Sequence, residues 1–173
     1  MSGPYLRLPA VAPMTLTSTD VEDGGRLERV QYSRAFGVPG GEDRSPQLRW
    51  SGAPETAKSF LVSIYDPDAP TPSGFWHWMV VDLPAGTEEL PAGVADLPGQ
   101  SWTVKNDARA PQYIGAAPPT GSGPHHYVIV VQALDIASVA EVGVDRESTP
   151  AFVAFSTLPH VVARGILTGI GEL

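Results

Sequence analysis

The chain has 173 residues, 42% of them hydrophobic and 17% charged, with a formal net charge of -8 and no cysteine. A chain of this size buries a core without disulfide or metal staples, and the lack of cysteine excludes disulfides, thiolate metal sites and a cysteine nucleophile. The acidity argues against broad nucleic-acid contact and polybasic attachment to anionic lipid, so a site for an anion must be local and work against the average field.

Residues 1–13 are proline-rich and read as an extended arm to a single domain spanning residues 1–173. No long apolar run follows a basic flank there, so neither a leader nor a membrane span is expected and the cytoplasm is the default location. Residues 14–21 alternate, with Met14, Leu16 and Ser18 on one face and threonines on the other, as in a strand. Residues 37–43 form a glycine-rich loop, and residues 47–51 a short strand. The run SFLVSIY at 59–65 and the run FWHWMVVDL at 75–83 predict two longer strands, with the proline-dense segment 66–74 between them. Alternation along the second of these puts Phe75, His77 and Met79 on one face and Trp76 and Trp78 on the other. Residues 84–101 and 115–124 read as loops, and HHYVIVVQALD at 125–135 as the longest strand. Short apolar runs between turn clusters, with 18 Gly and 18 Pro in all, describe a mainly β core. Thr149-Pro150 is an N-cap followed by proline at the first helical position, and Leu158, Val161, Val162 and Ile166 follow helical spacing, which predicts a C-terminal helix over about 158–168.

No Walker loop, dinucleotide fingerprint, H-E-x-x-H or G-x-S-x-G elbow occurs, and no nucleophile with a triad-like partner is visible. The chemistry-bearing residues sit at strand edges. Asp66-Pro67-Asp68-Ala69-Pro70 is a stiff loop whose two carboxylates either orient histidines and accept ligand donors or bond backbone amides in a turn. His77 is either an edge histidine of its strand or part of a site. His125 and His126 point to opposite faces, so His125 shares a face with Tyr127 and His126 turns to the surface. The preceding Pro118-Pro119 and Gly121-Ser122-Gly123 either form an anion-cradling nest or an ordinary flexible turn.

Taken in order, the segments DPDAP (66–70), SGFWHW (73–78) and APPTGSGPHHY (117–127) resemble the phosphatidylethanolamine-binding protein family, which includes the Raf kinase inhibitor proteins, and SPQLRWSG (45–52) is similar to its bacterial branch. The resemblance implies two antiparallel sheets with Greek-key connections and a pocket for phosphate, acetate, cacodylate or a phospholipid head group. It places Asp66, Asp68, His77, Pro119, His125 and Tyr127 in that pocket. It also implies a homodimer, as is frequent among bacterial relatives, with a protein partner that no sequence feature identifies. Two departures stand out: Ala117 where the family has glycine, and His126 where it has arginine, a loss of a permanent multi-donor charge. A methyl at Ala117 would restrict the loop if that residue needed positive φ. The expected function is binding of a small anion or phosphorylated group without turnover, with no cofactor and no metal. The alternatives are acid–base catalysis in a biosynthetic pathway by His77, His125 and Asp66, a dimeric or kinase-inhibitor-like interaction module, and a metal site on His77, His125 and an aspartate.

Overall fold

The computed structural model describes residues 4–173. In chain order the strands are β1 (Ala12–Pro13), β2 (Thr15–Thr17), β3 (Leu48–Ser51), β4 (Ser59–Asp66), β5 (Phe75–Pro84), β6 (Glu89–Leu90), β7 (Trp102–Thr103) and β8 (His125–Leu134); helix α1 (Pro150–Thr157) precedes the last strand, β9 (Val161–Gly171). A six-stranded sheet runs β1-β9-β8-β4-β5-β7 and a three-stranded sheet runs β2-β3-β6. Strand β8 returns to lie beside β4, outside the β4-β5-β7 run, which is the Greek-key arrangement. Every pairing between strands is antiparallel except β1 with β9.

The main core lies between the sheets. Val62 and Ile64 of β4, Trp78 and Val80 of β5, and Ile129 and Val131 of β8 pack against Leu16, Leu48, Trp50 and Leu90 of the smaller sheet. The opposite, outer face of the main sheet carries Leu61, Met79 and Val81 under Val139, Val144 and Val153. Strands β4 and β8 are therefore apolar on both faces, which is why they read as continuous rather than alternating hydrophobic runs. Among the described residues no helix is long and apolar enough to cross a membrane.

Three expectations are corrected. The arm over 1–13 is not simply extended: Pro4–Arg7 form a 3₁₀ turn and Ala12–Pro13 pair with β9 at the sheet edge, where proline's missing N–H is tolerated; Met1, Ser2 and Gly3 lie outside the described residues. The strand over 14–21 is only β2, ended by Ser18, whose Oγ accepts from the Asp20 and Val21 amides. The helix over 158–168 is a strand. The N-cap was correctly placed, since Thr149 Oγ1 accepts from the Phe152 amide and Pro150 opens α1, but the helix ends at Thr157. Beyond it, Ala163, Gly165, Leu167, Gly169 and Gly171 all turn inward at a strict period of two, while Val161, across a register shift, joins the outer cluster. Valines, threonine and three glycines across 161–171 are poor helix formers, and the glycines allow close approach: a Cβ at Gly165 would press on the Met14 carbonyl oxygen at 3.0 Å.

Candidate functional site

Antiparallel register brings the end of β4 and the starts of β5 and β8 to one edge of the main sheet. Asp66, His77, His125 and Tyr127 meet there in a cavity of about 430 Å³, walled also by Pro119, Ala117, Phe75 and Phe36. One local irregularity positions His77. Tyr65 pairs with Trp76 and Ile64 with Trp78, so His77 is the extra residue of a β-bulge. The predicted alternation fails at this point. Phe75 and His77 face the pocket and Trp78 the main core, while Trp76 and Met79 face the outer side. Bulges commonly re-aim side chains beside functional sites in this way.

Both pocket histidines are buried and both have Nδ1 committed. His125 Nδ1 donates to Asp66 Oδ2 at 2.8 Å, with each side chain only 4% exposed. His77 Nδ1 donates to the Ile114 carbonyl at 2.9 Å. These acceptors fix the tautomer, leaving Nε2 without a proton on a neutral ring. Burial pushes the His77 imidazole below its ordinary value; the Ile114 carbonyl and the Asp66 carboxylate oppose this but do not overcome it. His77 packs edge-on to Tyr127, with centroids 5.1 Å apart, and tilts against Phe75 at 4.8 Å.

Asp66 fulfils both readings of its loop at once. While Oδ2 holds His125, Oδ1 accepts from the amides of Asp68 at 2.8 Å and Ala69 at 3.1 Å. Asp68, expected in the pocket, lies outside it. Its carboxylate accepts from the His126 amide at 2.8 Å and imidazole at 2.7 Å. Burial works to raise the Asp68 carboxyl, but the hydrogen bonds from His126 outweigh it and hold the group below its usual range. The turn closed by Asp66 sends the next acidic side chain to the other face. His126 does point away from Tyr127, but it is tied down by Asp68 rather than left open on the surface.

The Tyr127 hydroxyl is buried and makes no hydrogen bond of normal geometry with the described residues. Burial drives its ionisation far up, helped by the Asp66 carboxylate, with the Ala117 backbone acting weakly the other way. The phenol therefore remains a donor at every physiological pH. A buried donor without an acceptor is costly and seldom left so.

Ala117 does not take a left-handed conformation, so its methyl causes no backbone strain. The tight position is two residues earlier, where a Cβ on Gly115 would collide with the Tyr32 and Ser33 backbone. Two features of the site escaped sequence reasoning. Phe36, half exposed at the pocket rim, packs edge-on to Phe75 at 6.3 Å; its only signal was an aromatic residue beside the glycine-rich loop. Ser122 Oγ lies 3.0 Å from His125 Nε2, completing a serine–histidine–aspartate chain that the sequence did not reveal. Its signal was a serine between two glycines, three residues before the histidine. Among the described residues no three His, Asp or Glu side chains converge to hold a metal ion.

A two-sheet β protein with a Greek-key main sheet and a buried histidine–aspartate–tyrosine pocket at its strand ends is the class that these features define. Residues 17–171 match the phosphatidylethanolamine-binding protein family, and the chain belongs to that family. It is 40% identical to the UPF0098 protein YbcL of Escherichia coli over 167 residues, covering 94% of this chain and 89% of that one. It is 39% identical to the UPF0098 protein YbhB of the same organism, covering 91% and 99% of the two chains. The crystal structure of E. coli YbcL, described as a new member of the mammalian family, superposes with a TM-score of 0.86 at 37% identity over 92% of this chain and 98% of that one.

Proposed function

We propose that this protein binds a small anion or phosphorylated group in the Asp66–His77–His125–Tyr127 pocket and holds it without turnover. The observation that carries this reading is the buried, unpartnered Tyr127 hydroxyl beside two histidines whose Nδ1 atoms are already committed. An anion accepts from the phenol directly. It gains further donors only when an imidazole takes a proton at Nε2, so binding is coupled to proton uptake. His77 is held neutral by burial, and anion binding pulls it toward the charged form. Affinity therefore rises as pH falls through and below the ordinary imidazole value of about 6.5.

The test follows the ring resonances of the four histidines by NMR during titration with phosphate and then phosphoethanolamine. Saturable shifts at His77 and His125, with His126 and His160 still, and tighter binding in mildly acidic buffer, are the expected result. Affinity that does not change with pH, or shifts confined to His126 and His160, would overturn it.

A second reading, catalysis, is favoured by the Ser122–His125–Asp66 chain. In an acyl transfer His125 Nε2 would take the Ser122 hydroxyl proton as Oγ attacks an acyl carbon, and return it to the departing alkoxide. Hydrolysis of p-nitrophenyl acetate by the parent, lost at least about tenfold in Ser122→Ala, would favour this reading. A parent with no turnover above buffer would remove it.

A further inference from the structure

The bulge at His77 leaves backbone groups that the β4–β5 ladder does not use, and such groups must find partners elsewhere. One segment supplies them: residues 106–114, which follow β7 along the other side of β5. The Trp76 amide donates to Asp107 Oδ2 at 2.9 Å, and the Trp76 carbonyl accepts from the Asp107 amide at 3.2 Å. The His77 carbonyl accepts twice, from the Ile114 amide at 3.1 Å and from Asn106 Nδ2 at 3.3 Å. Ile114 thus holds His77 at two points, since its own carbonyl takes the ring Nδ1–H at 2.9 Å.

The segment keeps its shape through one side chain. Asn106 is 4% exposed, and its carboxamide makes all four of the hydrogen bonds open to such a group. Oδ1 accepts from the Ala108 and Ala110 amides, each at 3.0 Å, while Nδ2 donates to the Gln112 carbonyl at 2.8 Å as well as to His77. The Asn106 amide adds a bond to the Ala110 carbonyl at 3.0 Å. The start of the loop, its end and the bulge are therefore joined at a single point. Aspartate at this position would keep the two acceptors and lose both donors, and leucine would keep neither. Asn106 and Asp107 themselves lie outside the wall of the histidine pocket.

We infer that Asn106 and Asp107 are positioning residues for the pocket: they fix the bulge and the Ile114 carbonyl, and through these the direction in which His77 presents Nε2. The assignment rests on the anion-binding reading of that pocket. Groups that bind a ligand must be held within about 0.5 Å of their productive geometry by the shell behind them. His125 has the Asp66 carboxylate for this purpose. His77 has only a backbone carbonyl, and a carbonyl is no better placed than the segment that carries it. The two histidines should therefore respond differently when residues 106–114 are loosened.

Ring-nitrogen NMR of the full chain, first free and then titrated with phosphate, tests the assignment. In the free protein, Asn106→Ala should move the His77 nitrogen shifts toward a mixture of the two neutral tautomers and leave those of His125 unchanged. Phosphate affinity should fall about tenfold. Asp107→Ala, at an exposed position, should act in the same direction and carries the test if Asn106→Ala does not fold. Asp107→Asn should restore both readouts: its carboxamide oxygen still accepts from the Trp76 amide, and the Asp107 charge is the smallest of the influences on the His77 ring. Parent-like His77 shifts in the folded alanine variants, changes of equal size at His125, or no recovery in Asp107→Asn would overturn the proposal. A parent that binds no phosphate would overturn the anion reading instead, while the shifts of the free variants still decide whether the segment orients the ring.

Discussion

Replacing Asp66 by alanine is expected to destabilise the fold by about 3 kcal/mol or more, because one carboxylate accepts three hydrogen bonds inside the protein. The His125 Nδ1–H and the Asp68 and Ala69 amides would all lose their acceptor together. Asp66→Asn separates two parts of this effect. Its carboxamide oxygen still accepts from the two turn amides, so most of the stability should return. Its NH₂ group, however, faces His125 Nδ1 and can only donate, which forces the proton of the neutral ring onto Nε2. The ring nitrogen shifts of His125 should then exchange places. Chemical denaturation gives the first quantity and NMR the second. An alanine variant within about 1 kcal/mol of the parent, or an asparagine variant with unchanged His125 nitrogen shifts, would show that Asp66 does not organise this edge of the sheet.

The second large effect comes from a residue with no side chain. Gly115 sits where the segment carrying Ile114 crosses the backbone of residues 32–33, joined by the Ser33 amide to the Ala116 carbonyl at 2.9 Å and the Ala116 amide to the Gln31 carbonyl at 3.1 Å. A methyl group there meets backbone rather than a flexible side chain, and the two segments must separate. Gly115→Ala should cost about 3 kcal/mol, at the upper end of ordinary overpacking. It should also weaken phosphate binding, because the Ile114 carbonyl that orients His77 moves with the segment. A melting temperature equal to the parent's would mean that the crossing relaxes without cost. Intact stability with reduced phosphate affinity would locate the effect in the His77 contact alone.

Much of this architecture could be read from the residues, and the failures have identifiable causes. Strands β4, β5 and β8 announced themselves because each is long and rich in β-branched and aromatic residues. Strand β9 did not, since Gly165, Gly169 and Gly171 on its inward face contribute no apolar side chain, and the valines and isoleucines that remain happen to fall at helical intervals as well. Thr149 and Pro150 were legible because capping is local chemistry. At the site, His125 and Tyr127 followed from simple alternation. Asp68 was misplaced because the hydrogen bonds that close its turn depend on the side chain of Asp66, which no period records. The link from Ser122 to His125 depends on how the glycine loop folds back, a tertiary fact.

The bulge at His77 separates two jobs within one strand. In β5 the pairings on either side of it, Trp76 with Tyr65 and Trp78 with Ile64, are those of an uninterrupted ladder with one residue slipped in. Excising His77 would leave Phe75, Trp76 and Trp78 on the faces they already occupy. The histidine is thus an insertion in the rhythm of the strand: the residues on either side keep their alternation, and His77 alone is added to the pocket-facing side.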